Sequence, residues 1–327
     1  MLRCRRSGDA IRIGPHFHLS FQRTLRIPDD GNTYPLPPSL GSFPIRRIAD
    51  VASRVPASWR KHGGVFLPMY QREAMWLSFH ADSWHPCAVK IAVGKVNAIS
   101  GEPWSEKLSS QDYVVCPDQP WLDGIKAGEG TIRQFVAMPL GMGYTVEGQV
   151  TGKEEFGGLQ IKVFAPKPGR FPDQPPHERR SAFSDGMVMY APLHGSELGL
   201  AAGGRMRQKI YPDPHGIGTW DTENTGRVYV HIVNSMTYRE ITGEEPPATP
   251  VTARMYTDYG YPWFELYDEE KGDLEVSETL KRVKSVKEMD AAKGFEPQQD
   301  DGTVEVKKEQ VKGLGMKDDA SVPDGAW

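Results

Sequence analysis

Carboxylate and imidazole side chains are concentrated in residues 213–231, a region rich in turn-forming residues. Asp221 and Glu223 lie in the turn-rich part, and His231 lies on the apolar strand that is predicted to follow it. A carboxylate beside an imidazole can transfer protons in general acid–base catalysis. Asp221, Glu223 and His231 are therefore the candidate catalytic residues of a hydrolase-like enzyme. The alternative is a solvated acidic loop, because their spacing matches no metal-binding or catalytic motif.

Three cations alternate with apolar or amide side chains shortly before this region. If the segment is extended, Arg205, Arg207 and Lys209 point to the same face of a strand. Such a face can bind phosphate, carboxylate or an acidic partner. The alternative is a solvent-facing strand whose positive charges prevent pairing with the edge of another sheet.

Six aromatic residues fall within the twelve positions from Tyr256 to Tyr267. Flat apolar rings that carry polar tips suit stacking on sugar rings or docking of a protein partner. The alternative, which the rest of the chain favours, is that these rings are the last apolar anchor of the folded body. The candidate ligand-binding residues of this segment are Asp258, Tyr259, Tyr261, Trp263 and Glu265.

The cysteines and glycines exclude several common kinds of site. None of the three cysteines belongs to a C-x-x-C pair, which excludes a zinc ribbon or a thioredoxin-type centre. Cys87 and Cys116 each adjoin a proline and an apolar run, so we expect buried, unreactive thiols. The chain has neither a dinucleotide-binding fingerprint nor a phosphate-binding P-loop. We therefore predict no metal site and no cofactor.

The elements that must position these residues are short strands. The chain has 34 glycines and 27 prolines, which separate short apolar runs and interrupt long helices. Residues 19–27 and 159–164 alternate apolar and polar side chains, and residues 72–79 also favour a strand. Residues 88–99 predict a tight hairpin around Gly94-Lys95, with glycine first as in a type II′ turn.

This pattern predicts a mainly β fold: an antiparallel sandwich-like or barrel-like body with a short C-terminal helix and a charged, partly disordered tail. Residues 1–14 form a flexible basic N-terminus, 15–267 the β-rich body, and 268–327 the charged helix and tail. Division of the body into two lobes near the proline-rich segment 165–186 is an open alternative. The helix is expected at 277–289, with Ser277 as its N-cap.

Composition narrows the function without naming a reaction. The net charge of −4 gives no reason to expect nucleic acid, and no apolar run is long enough for a membrane span. The chain has no apolar leader segment, so a cytoplasmic location is expected. Without a recognisable catalytic group, the first hypothesis is a non-catalytic binding or structural protein with aromatic and cationic surface patches and an unknown ligand or protein partner. The hydrolase-like enzyme is the alternative.

Overall fold

A computed structural model describes residues 1–172, 174, 197–266, 271–296, 298 and 302–314 of the chain. The strands described there are β1 (Cys4–Ser7), β2 (Ala10–Ile13), β3 (Phe17–Thr24), β4 (Thr33–Tyr34), β5 (Arg46–Arg47), β6 (Val65–Met69), β7 (Ala74–Ala81), β8 (Cys87–Val93), β9 (Val96–Asn97), β10 (Val114–Cys116), β11 (Trp121–Leu122), β12 (Gly124–Gly128), β13 (Thr131–Pro139), β14 (Leu159–Pro166), β15 (Glu197–Arg207), β16 (Trp220–Asn234), β17 (Trp263–Leu266) and β18 (Val311–Leu314). The helices are α1 (Ala57–His62), α2 (Val146–Thr151), α3 (Ser235–Thr242), α4 (Ala253–Asp258), α5 (Glu278–Lys281) and α6 (Val286–Ala292), with short 3-10 turns at Ile48–Arg54, Ile217–Thr219 and Lys308–Gln310. The mainly β prediction is confirmed, and strands expected at 19–27, 72–79 and 159–164 are β3, β7 and β14 with shifted ends.

Most strands belong to one large, mainly antiparallel sheet in the order β1-β2-β3-β7-β13-β15-β16-β14-β8-β10. We divide this sheet into two halves, β1-β2-β3-β7-β13-β15 and β16-β14-β8-β10. They meet where β15 and β16 pair through two residue pairs. The outer edge of the first half also contacts the second half: the backbone amide of Leu2, just before β1, donates to the Thr225 carbonyl of β16 at 2.9 Å. The sheet is therefore folded over, as the predicted sandwich-like or barrel-like body requires.

The core lies between the two halves of this sheet. Along β3, Phe17, Leu19 and Phe21 are buried, and the residues between them are half-buried. They belong to the same hydrophobic core as Ile161 and Val163 of β14, in the other half. Burying a side chain of this size contributes roughly 1.5–3 kcal/mol, so the alternating pattern holds the halves together.

The hairpin between β8 and β9 is confirmed, but its predicted turn type is wrong. Both central residues have positive φ, 51° at Gly94 and 73° at Lys95, which defines a type I′ turn. A side chain at position 94 is also excluded sterically, since its Cβ would lie 2.5 Å from the Glu147 Oε2 atom. Because its φ is 73°, Lys95 has a left-handed conformation, which is unfavourable for a lysine.

Both ends of the chain contain more strands and helices than the sequence predicts. Residues 1–14, expected to be a flexible extension, contain β1 and β2, which continue the main sheet. The single helix expected at 277–289 is two helices, because Ser285 starts α6 with a capping box to Glu288. Ser277 is confirmed as a helix N-cap, that of α5. Within the expected tail, β18 pairs in parallel with β17.

Two predictions fall partly on residues outside the described ranges. The first is the lobe boundary proposed at 165–186, of which residues 173 and 175–186 are not described. The second is the end of the tail, residues 315–327. In the part of the chain that is described, no helix has the length and apolar character needed to cross a bilayer.

Candidate functional site

A groove of about 980 Å³ opens on one side of the sheet, and we call it the cationic groove. Its wall is built from the β1–β2 hairpin, the end of α1, the turn between β8 and β9, and β16. The charged side chains that line it are Arg5, Arg6, Arg47, Asp50, Lys61, Lys95, Glu106 and Arg227. Six cations thus face two carboxylates, a local balance of +4 in a chain whose net charge is −4.

The two carboxylates of the groove are already paired. Asp50 forms an ion pair with Arg47 three residues earlier. Glu106 accepts a hydrogen bond from Arg227 at 3.0 Å and also binds Lys162 at 3.0 Å. Although burial opposes ionisation, hydrogen bonds from Trp104 and Lys162 and the nearby positive charges lower the pKa of Glu106 to about 2. Both carboxylates therefore neutralise cations that are next to them.

The remaining cations leave the groove positively charged. Within the described ranges, Arg5, Arg6 and Lys61 form no ion pair, and all three side chains are exposed. Lys95 lies over the Phe156 ring, with Nζ 5.1 Å from the ring centre. Burial, outweighing the net effect of neighbouring charges, lowers the pKa of Lys95. An anion entering the groove would meet the guanidinium groups of Arg5 and Arg6 and the ammonium group of Lys61, none of which is ion-paired in the described structure.

A stack of four rings supports one wall of the groove. The His62 ring lies on Tyr229 with centres 4.8 Å apart and planes 6° apart, and Tyr229 lies on His231 at 4.4 Å. Beneath them, Trp59 stacks on His231 at 4.5 Å. The Tyr229 hydroxyl donates to the Phe156 carbonyl at 2.9 Å. Because the inner rings are buried, they hold His62 in a defined position at the groove surface.

His231 is a structural member of this stack. It is buried, and its Nε2 atom lies 3.1 Å from the Gly63 carbonyl, to which it donates as the neutral imidazole. Burial lowers the pKa of His231 to about 4, so the ring is uncharged near neutral pH. Burial, followed by the charges of Lys95 and Lys61, also lowers the pKa of His62.

The three candidate catalytic residues do not meet. All lie on β16, but His231 comes eight positions after Glu223, which is about 26 Å along an extended strand. The Asp221 carboxylate instead accepts from the backbone amides of Glu223 and Asn224 at 2.8 and 3.1 Å. The acid–base group suggested by the sequence is therefore not formed, because an extended chain carries its ends apart.

The predicted alternation of Arg205, Arg207 and Lys209 is present, and the residues between them are buried. Arg207 pairs with Glu265 at 2.7 Å, and the Lys209 ammonium donates to the Lys271 carbonyl at 3.1 Å. The cationic strand and the aromatic segment, predicted as separate sites, are therefore neighbours.

The aromatic segment divides into an inner and an outer part. Trp263 is fully buried, and its indole N–H donates to the Thr257 hydroxyl at 3.1 Å. Tyr259 and Tyr261 are 70% and 53% exposed, with ring centres 6.0 Å apart, and Asp258 is exposed at the end of α4. The structure thus assigns Trp263 to the core and leaves the two tyrosines at the surface.

Sequence reasoning missed the cationic groove as a site. The only indication of it in the sequence was the excess of arginine in residues 1–60, which contain ten arginines and four aspartates. Lys95 and Arg227 come from distant segments, and nothing in their local sequence relates them to that excess. Among the described residues, no group of three or more His, Cys, Asp or Glu side chains is arranged to hold a metal ion.

The groove provides concentrated positive charge, a flat aromatic wall and a concave shape, a combination suited to holding an anion. No protein-family model, curated protein or solved structure matches this chain. Its function therefore has to be inferred from its own residues.

Proposed function

We propose that this protein is a non-catalytic binding protein whose ligand is a small anion carrying phosphate or carboxylate groups, held in the cationic groove. The observation that carries the proposal is the convergence of Arg5, Arg6 and Lys61 on one cavity with no carboxylate paired to them in the described structure. Arginine pairs with both kinds of anionic group through two parallel hydrogen bonds, and such charged hydrogen bonds are the strong ones.

The size of the groove supports a small ligand. Ligand pockets usually enclose roughly 300–1,000 Å³, and the cationic groove, at about 980 Å³, lies at the upper end. A long polyanion such as nucleic acid would also meet the rest of a chain whose net charge is −4. We therefore do not expect nucleic acid to be a ligand, and we retain the cytoplasmic location expected from the sequence.

Calorimetric titration with tripolyphosphate at low ionic strength tests this proposal. The double variant Arg5→Gln/Arg6→Gln should bind at least tenfold more weakly than the native protein, because each charged hydrogen bond contributes about 1.5–3 kcal/mol. Lys61→Gln should weaken binding further.

The matched control is Arg205→Gln/Arg207→Gln, which removes the same charge from one strand outside the groove. Its affinity should stay within about twofold of native. Equal losses in both double variants, or no binding to the native protein, would contradict the proposal. Tighter binding of a short single-stranded oligonucleotide of equal charge would instead identify a polynucleotide ligand.

A second candidate function is docking of a protein partner on the aromatic patch. We define this patch by the exposed side chains Met255, Tyr259 and Tyr261, which lie on α4 and the turn that follows it. Exposed tyrosine and methionine are typical of interface centres. The charged residues around it would form a polar rim: Asp258, Glu265, Arg205, Arg207 and Lys209. Trp263 would support the patch from below.

A further inference from the structure

Two of the three cysteines face each other inside the sheet. Strands β8 and β10 are antiparallel, and their register places Cys116 directly opposite Cys87. Directly opposed residues in an antiparallel pair project to the same face. Both side chains lie in the hydrophobic core, whereas Cys4 is exposed. The chain therefore contains a buried pair of adjacent thiols and a separate exposed thiol.

The strand geometry meets the requirements of a disulfide. Opposed residues of antiparallel strands have Cα atoms about 4.5–5.5 Å apart, and disulfides join Cα atoms about 4.4–6.8 Å apart. Burial, followed by interaction with the Cys87 thiol, raises the pKa of Cys116, which places the two thiols within interaction distance. The sulfur atoms can consequently be joined without a rearrangement of β8 or β10.

A small oxidant can reach one member of the pair. Cys87 lines a cavity of about 250 Å³ together with Phe17, Ala165 and Phe171, and its side chain retains slight exposure. Cys116 is completely buried. A cavity of this size admits a molecule as small as hydrogen peroxide, since a water molecule occupies about 30 Å³. Cys87 is thus the first point of attack, and Cys116 is the resolving thiol.

We propose that Cys87 and Cys116 form a reversible disulfide when the protein meets a small hydroperoxide. The Cys87 sulfur attacks one peroxide oxygen and the O–O bond breaks, which gives a sulfenic acid and one water. The Cys116 sulfur then attacks the Cys87 sulfur, the S–OH bond breaks, and the hydroxyl leaves with the Cys116 proton as a second water. The two thiols lose two electrons, hydrogen peroxide gains them, and a dithiol reductant reverses the reaction by exchange.

Thiol counting on the folded full chain tests this inference. The reduced protein is exposed to hydrogen peroxide, quenched with catalase, denatured and alkylated, and its intact mass and its peptides are measured. We expect two of the three thiols to resist alkylation together, a peptide that links Cys87 to Cys116, and full recovery of alkylation after treatment with dithiothreitol.

Single variants separate the buried pair from the exposed thiol. Cys4→Ser should still lose both remaining thiols together, whereas Cys87→Ser and Cys116→Ser should form no intramolecular disulfide. Peptide mapping of the native protein remains decisive if a serine in the core prevents folding. A disulfide involving Cys4, or Cys87 and Cys116 that both remain free while Cys4 is oxidised, would overturn the inference.

Discussion

At the scale of single residues, aromatic side chains that look alike in sequence have different environments. Trp263 contacts Tyr34 and Tyr256, with ring centres 6.2 and 6.3 Å away, and has no exposed surface. Tyr261 lies two positions earlier in the chain, yet more than half of its surface is exposed. The same short segment thus supplies a core residue and a surface residue.

Truncation of these two side chains should therefore have unequal effects. Trp263→Ala should lower the free energy of unfolding by about 3–5 kcal/mol, because it removes a fully buried ring and leaves a cavity. Tyr261→Ala should change it by less than about 1 kcal/mol. Urea unfolding followed by circular dichroism measures both values, and equal losses would show that Tyr261 also belongs to the core.

Asp123 provides a test through pH. Burial raises its pKa to about 7, whereas an unperturbed aspartate has a pKa of about 3.9. The folded protein therefore keeps a proton that the unfolded chain releases between about pH 4 and pH 7. Stability from this group is present at low pH and is lost as the pH rises through that interval.

The variant Asp123→Asn removes this titration and can still accept the hydrogen bond that Gln208 donates at 2.8 Å. Relative to the variant, the native protein should lose free energy of unfolding between about pH 5 and pH 8. Urea unfolding at both pH values measures the difference. A difference that is the same at both pH values would show that Asp123 does not titrate in this range.

At the scale of elements, the C-terminal segment shows how a charged sequence can still build structure. Gln310 donates from Nε2 to the Thr257 carbonyl at 3.0 Å and to the Tyr261 carbonyl at 3.3 Å. The Val304 amide donates to the Tyr34 hydroxyl at 3.2 Å, and β18 pairs with β17. These contacts attach the segment to α4 and the turn after it, to β4, and to β17, the strand that carries Trp263.

Removal of residues 302–327 should therefore destabilise the body. Truncation after residue 301 exposes the edge of β17 and leaves the Thr257 carbonyl without its side-chain donor, so we expect a loss of about 2 kcal/mol or more and a lower melting temperature. The matched control is truncation after residue 314, which retains all of these contacts and should melt close to the native protein. Similar melting of the two truncated chains would show that β18 adds no stability.

The hairpin at Gly94-Lys95 shows what local sequence can predict about an element. Apolar runs on both sides of the pair predict two strands with a two-residue connection, and this is confirmed. The turn type depends on the conformation of Lys95, whose backbone amide donates to Gln160 of β14 at 2.8 Å. That contact comes from a strand 65 positions away, so local preference could not reveal it.

At the scale of the whole molecule, the local charge of the groove is opposite in sign to the net charge of the chain. The chain carries −4, yet among the described residues six cations and two carboxylates line the groove. The groove forms because the folded sheet brings β1 beside β16, so Arg5 and Arg6 lie near Arg227 although more than 200 positions separate them. Net charge alone therefore gave a poor indication of where an anion could bind.

The mainly β class, the approximate places of several strands, the hairpin and the Ser277 cap could all be predicted from local sequence. These features depend on side-chain alternation and turn residues, which act over a few positions. Four other features became visible only in the folded protein: Trp263 is buried, Asp221 and Glu223 lie far from His231, Cys87 faces Cys116, and distant cations share a groove. The reason is physical: strand pairing brings together residues far apart in the chain, and composition and periodicity carry no information about which strands become neighbours.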